Sequence, residues 1–265
     1  MSRSRRTSPL TLVVAALLVA GCGSGGSSSD TTSTASTTST IPETADVLIQ
    51  RLTDELGDAD LALSVVGGMD PEFLEQLESG IGVDEIATSP VLAYRPEPVP
   101  GPVDHLVVLA FGNRVAADGT VTPGPVNEAL ADSVQAYVAA NPTPVYAQWE
   151  VAQILQQRGV PNVVSIEPEV GPDGAPTYLS TQGVTDQVVA QAQAAGVDMG
   201  TVGIVGFGDH VVRSLMTAEA SGMDDVVVVE GIELPTEYDA ESGQEWTRDR
   251  ESYLTVDLAG RIAAV

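Results

Sequence analysis

His210 and Arg213 stand three residues apart in GFGDHVVR, directly after a β-branched run and a glycine turn. On a helix that spacing puts both side chains on one face. An imidazole beside a guanidinium at a helix start can hold a phosphate or carboxylate and move a proton next to it. The competing assignment packs His210 against the sheet edge and pairs Arg213 with an acid such as Glu150 or Glu230. Asp209 is expected to cap the helix with its carboxylate. The preceding glycines, Gly203, Gly206 and Gly208, run GxxGxG, the wrong order for a dinucleotide fingerprint, and an acid at position 209 would repel a pyrophosphate.

Two further clusters follow other apolar runs. Gly112-Asn113-Arg114 lets the backbone turn sharply and brings a scarce cation to a strand end, or else forms a plain turn toward Asp118-Gly119. Gln148 and Glu150 flank Trp149 at a helix start, where Glu150 also suits the helix dipole. The candidate set is therefore His210 and Glu150 for proton transfer, with Gly112, Asn113, Arg114, Gln148, Gly208 and Arg213 for ligand binding. No Gly-x-Ser-x-Gly elbow occurs, and the other histidine, His105, opens the first strand at the far edge. With two distant histidines and one cysteine, neither a thiol nucleophile nor a histidine or cysteine metal site is expected.

These groups need a scaffold that gathers strand ends. HLVVLAF (105–111), TPVYA (143–147), NVVSIE (162–167), TVGIVGF (201–207) and DVVVVEG (225–231) are short, nearly continuous apolar runs of the kind buried on both faces. Helical stretches of ten to sixteen residues separate most of them, which predicts βαβ units with right-handed crossovers. The expected fold is α/β, a Rossmann-like parallel sheet of about five strands flanked by helices. In such sheets ligands lie outside the carboxyl ends of the strands. Residues 45–100, with helices over ADVLIQRLTDELG and after Asp70-Pro71, read as a small helical lead-in and proline-rich connector to an α/β domain over 101–265. The closing stretch EWTRDRESYLTVDLAGRIAAV is an amphipathic helix. Its Arg248 and Arg250 either join the site or pair with neighbouring acids.

The chain begins MSRSRRTSPLTLVVAALLVAGC, a cationic start, a short apolar run and small residues before a cysteine. That pattern predicts a lipoprotein signal over 1–21 with lipidation at Cys22, an unmodified signal peptide being the plain alternative and Arg5-Arg6 a twin-arginine variant. A Gly/Ser/Thr tether over 22–44 would follow. Lysine is absent, and losing residues 1–21 removes three of eleven arginines and none of the 37 acids, moving the formal charge from −26 to −29. Such a surface excludes nucleic acid as a partner and adhesion to anionic lipid by charge, so the acyl anchor would supply membrane attachment.

Residues 103–265 resemble the YdcF-like (SanA/ElyC-type) family of bacterial envelope proteins. The stretch VDHLVVLAFGNRVAADGTVTPGPVNEALADSV is similar to the family's opening strand, glycine turn and helix. QWEVAQILQQRGVP is similar to its second motif, and GFGDHVVRSLMTAEASGM to its segment carrying His and Arg. On that match His210 and Arg213 take the family's His and Arg, and Glu150 falls on or near an acid. The resemblance implies an envelope protein that binds an anionic small molecule or lipid-carrier headgroup, with processing of that ligand as a further expectation. Its S-adenosylmethionine-binding branch is cytoplasmic, so no cofactor is expected here. The family's Ser-Gly-Gly is missing and its Asn-Thr-x-Glu-Asn is replaced by Gln182-Gly183-Val184-Thr185-Asp186. Two outcomes follow from that departure: an altered activity, or a binding and scaffold module without catalysis.

Overall fold

The computed structural model describes residues 43–80, 85, 88–171 and 176–262. The apolar leader, Cys22 and nearly all of the tether lie outside the described residues. Five strands form one sheet: β1 (His105–Val108), β2 (Val145–Gln148), β3 (Val163–Ile166), β4 (Thr201–Val205) and β5 (Asp225–Val227). Their spatial order is β3-β2-β1-β4-β5, and every pairing is parallel. The chain builds outward from β1 to β3, then crosses back to lay β4 on the other side of β1. The α/β, Rossmann-like expectation is what the structure shows, and the reversal of strand order falls between β1 and β4.

The apolar runs are continuous because both faces of the sheet are covered. Leu106 and Val108 of β1 point into a core shared with α4 (Pro125–Ala140) and α5 (Trp149–Gln157), whose Leu130, Val134, Val151 and Leu155 join the same cluster. Val107 and Leu109 point the other way, toward Val184 and Val188 of α6 (Thr181–Ala195) and Val211 and Ala218 of α7 (Val211–Ala220). Alternate side chains thus serve opposite cores, and neither face needs a polar residue. Gly203 sits inside β4 because a Cβ there would come within 2.4 Å of Val229 and 2.8 Å of Leu106.

The strands are shorter than the apolar runs. Beyond Leu109 the ladder donors are taken by side chains: the Ala110 amide donates to Gln148 Oε1 at 3.1 Å and the Phe111 amide to Asn127 Oδ1 at 2.9 Å. Phe111 then stacks on Phe207, centroids 4.0 Å apart. The apolar excess therefore builds the floor of a crevice instead of lengthening the strands.

The lead-in comprises α1 (Glu43–Leu56), α2 (Ala59–Gly67), α3 (Pro71–Gly80) and a 3-10 turn over Pro90–Leu92. Helix α1 starts at Glu43 and buries Thr44, so the tether ends earlier than the composition suggests. The apolar faces Leu48, Leu52, Val65, Val66 and Leu92 close on Leu254, Leu258 and Ile262 of α8 (Arg250–Ile262). Among the described residues no helix is long and apolar enough to cross a membrane.

Candidate functional site

The carboxyl ends of β1, β2 and β4 open on a cavity of about 350 Å³. Gly112 after β1, Gln148 at the end of β2, His210 after β4 and Arg213 on α7 all line it. Residues from later in the chain complete it: Tyr178 and Thr181 at the entry to α6, Gln244 and Trp246 at a 3-10 turn between β5 and α8, and Tyr253 of α8. Gly112 has φ +68, and a side chain there would meet Ser242 Oγ at 2.7 Å.

His210 closes a 3-10 turn over Gly208–His210 and is 5 % exposed. Its Nδ1 lies 2.5 Å from the Tyr253 hydroxyl, which donates to Asp257 Oδ1 at 2.9 Å. Tyr253 and Asp257 reach it together because they stand four apart on one face of α8, and Arg261 follows four residues later. Arg261 Nε forms an ion pair with Asp257 Oδ2 at 2.6 Å, and Arg213 Nε lies 3.3 Å from Oδ1. Burial works to raise the Asp257 pKa, but Arg261, His210 and Arg213 outweigh it and hold the carboxyl below its ordinary value. Burial pushes the His210 pKa down to about 4, against the opposing pull of Asp257, so the imidazole is neutral at physiological pH. Burial, then the Asp257 charge, keeps the Tyr253 phenol protonated.

On the cavity side, His210 Nε2 faces the Thr181 hydroxyl at 3.4 Å, and Arg213 Nη2 donates to the same oxygen at 3.2 Å. Arg213 remains partly exposed, at 24 % of its side-chain surface. A neutral base, a hydroxyl and a guanidinium thus share one corner. This set can bind an anion and accept a proton.

The other sequence candidates lie off this cavity. Arg114 is engaged by Asp239, with contacts of 2.6 and 2.7 Å, and by Glu241, so the abundant acids have claimed it. Asn113 is buried, its carbonyl accepting from the Gly243 amide. Gly208 packs under Thr236, where a Cβ would meet a methyl at 2.9 Å. Glu150 is wholly buried at the start of α5, and neither of its oxygens makes a hydrogen bond. Burial raises its pKa to about 8.

Asp209 does not cap α7; no side-chain bond caps that helix. Its carboxylate instead receives Arg250 through Nε at 2.9 Å and Nη2 at 3.1 Å, and the Tyr238 hydroxyl at 2.8 Å. A bidentate guanidinium outcompetes two backbone amides for one carboxylate. Arg250 is accordingly an ion-pair residue, and Arg248 donates to the Ser242 carbonyl and pairs with Glu245. His105 holds the Met199 carbonyl at the opposite end of the sheet.

Thr181, Tyr253 and Asp257 escape sequence reasoning. A signal was nevertheless present: in YLTVDLAGR, Asp257 and Arg261 occupy positions that the helical period assigns to the buried stripe of Leu254 and Leu258. Charges on a buried stripe mark a polar network. No protein-family model matches the chain, and no curated protein or solved structure matches it either.

Proposed function

We propose that this chain is a lipid-anchored protein of the bacterial cell envelope whose crevice between β1 and β4 binds, and acts on, an anionic small molecule or lipid-carrier headgroup. The observation that carries the ligand class is the corner formed by Arg213, Thr181 and His210. A partly exposed guanidinium and a neutral, buried imidazole border one cavity at the point where strand order reverses. The envelope setting rests on the leader ending in Cys22 and on the resemblance of residues 103–265 to YdcF-like proteins. On this reading Arg213 holds the anion and His210 takes the proton, with Gln148 and Gly112 shaping the wall.

The test is calorimetric titration of the full chain in detergent with inorganic phosphate and with glycerol 3-phosphate. Arg213→Ala should weaken binding at least tenfold, since a charge-assisted pair contributes about 1.5–3 kcal/mol. His105→Ala, at the opposite sheet edge, should leave it unchanged. Equal affinity in all three proteins would remove the reading. For the setting, Cys22→Ser should shift the protein from the membrane to the soluble fraction of expressing cells.

A binding and scaffold module without catalysis is the second reading. It is favoured by the missing Ser-Gly-Gly and Asn-Thr-x-Glu-Asn motifs. It predicts that a His210→Ala, Arg213→Ala double variant still restores an envelope defect in cells lacking the protein.

A further inference from the structure

We infer that Thr181 is the nucleophile of this crevice and that the chain hydrolyses an ester of an anionic substrate through a covalent Thr181 intermediate. The inference rests on the reading that the crevice holds an anion, and it adds the reacting atom and the bond that breaks.

Each proton of the network has one place to go, from the core outward. Asp257 lies between Arg261 and Arg213, at 2.6 and 3.3 Å, and as a carboxylate it can only accept. Tyr253 has one hydroxyl proton and sits 2.9 Å from Asp257 Oδ1. If that proton pointed elsewhere, two oxygens would face each other without a hydrogen, so it is donated to Asp257. The 2.5 Å contact from Tyr253 to His210 Nδ1 is then an Nδ1–H donating to the phenol oxygen. That fixes the tautomer and leaves the lone pair of Nε2 facing the cavity corner.

Thr181 Oγ1 lies 3.4 Å from that lone pair and accepts from Arg213 Nη2 at 3.2 Å. Its own proton is therefore free to be donated to Nε2. Nucleophile, base and orienting groups stand in one chain with every hydrogen directed the same way, which is the arrangement that activates a hydroxyl. The base-to-hydroxyl distance is at the long end of hydrogen bonding, as expected of a site that tightens around substrate.

The surroundings suit the reaction. Thr181 is the first residue of α6, whose N-cap Ser180 takes the Gly183 amide. A helix start favours developing negative charge close to Thr181. Ser180, Thr181 and Arg213 border not only the 350 Å³ cavity but also a second one of about 270 Å³ that runs past Met216, Ala220 and Gly260. One cavity can hold the acyl group and the other the alcohol, with Arg213 between them on the anion.

In the first step the bond from Thr181 Oγ to the ester carbonyl carbon forms and the bond from that carbon to the alkoxy oxygen breaks. The Oγ proton passes to His210 Nε2 and then to the departing alkoxide. In the second step water attacks the acyl carbon while Nε2 takes its proton, the bond to Oγ breaks, and that proton returns to Thr181. Thr181 and His210 are the catalytic residues; Tyr253 and Asp257 are positioning residues.

The experiment treats the full chain in detergent with an alkyl fluorophosphonate and maps the adduct by peptide mass spectrometry. The expected result is one adduct, the probe less hydrogen fluoride, on Thr181. Thr181→Ala should abolish it and Thr181→Ser should keep it. His210→Gln should slow labelling at least tenfold, in line with the loss of a general base. Tyr253→Phe should slow labelling and move the pH at which labelling reaches half its plateau, a shift that a purely structural role would not produce. Wild-type protein that binds phosphate through Arg213 but stays unlabelled would overturn the nucleophile and spare the binding site. Protein that neither binds nor labels would overturn both, and an adduct that persists in Thr181→Ala would overturn the assignment to Thr181.

Discussion

At the residue scale, two buried titratable groups pull stability in opposite directions with pH. Glu150 is raised above its unfolded value, to about 8, chiefly by burial. Between the two values the folded chain keeps a proton that the unfolded chain releases, so this residue costs stability as pH rises from about 4.5 through about 8. Glu150→Gln should therefore stabilise the protein by about 2–3 kcal/mol near pH 8 and by little near pH 5, as read from urea unfolding at the two pH values. His210 is lowered to about 4, again chiefly by burial. The unfolded chain takes up its proton first on acidification, so the contribution of His210 is present above about 6.5 and lost as pH falls toward about 4. Labelling of Thr181 should follow the same group, rising as pH climbs through about 4 and level beyond, because the neutral imidazole is the active form. Arg114 shows the converse lesson about scarce cations. In a chain with 37 acids and 11 basic residues, an arginine at a strand end finds Asp239 and Glu241 before it finds a ligand.

At the element scale, α8 does two tasks. One face carries Leu254, Leu258 and Ile262 against the lead-in, and another carries Tyr253, Asp257 and Arg261 under the crevice. Arg261 is fully buried, stacks on the Tyr94 ring at 4.1 Å, and donates to the carbonyls of Val91, Ala93 and Asp209. Removing it would leave Asp257 charged in the core and three carbonyls short of a donor. Arg261→Ala should cost about 3–5 kcal/mol in chemical denaturation, in the range seen when one partner of a buried pair is deleted. The strands, α4 through α7 and the parallel sheet were legible in the sequence because two-sided burial leaves an unbroken apolar run. Helix α2 was not, since Ala59–Gly67 is short and apolar nearly all round. Part of the site was equally legible: the crevice location, Gly112 after β1, Gln148 at the end of β2 and His210 after β4 follow from strand ends. The remainder comes from α6 and α8, whose polar residues meet the crevice only through packing that no local pattern encodes.

At the scale of the whole molecule, the lead-in and α8 form a second core beside the sheet, joined to it through the Arg261 hub. A chain starting at residue 101 would expose the Leu254, Leu258 and Ile262 face. It should elute as aggregate in size-exclusion chromatography, where the intact protein elutes as a defined species. The Gly203 contact with Val229 and Leu106 gives a smaller, local test of sheet packing: Gly203→Ala should lower stability by about 1–3 kcal/mol, read as a lower urea midpoint at unchanged slope. The Arg261 hub also has a temporal meaning. Helices from the start of the described chain and the last helix share one core, and the base His210 is oriented by groups on that last helix. During synthesis, the apolar faces of α1, α2 and the Pro90–Leu92 turn therefore lack their partner until α8 has been made, and the crevice acquires its chemistry only then. The chain thus stays open and inert until α8 has joined the rest of the core.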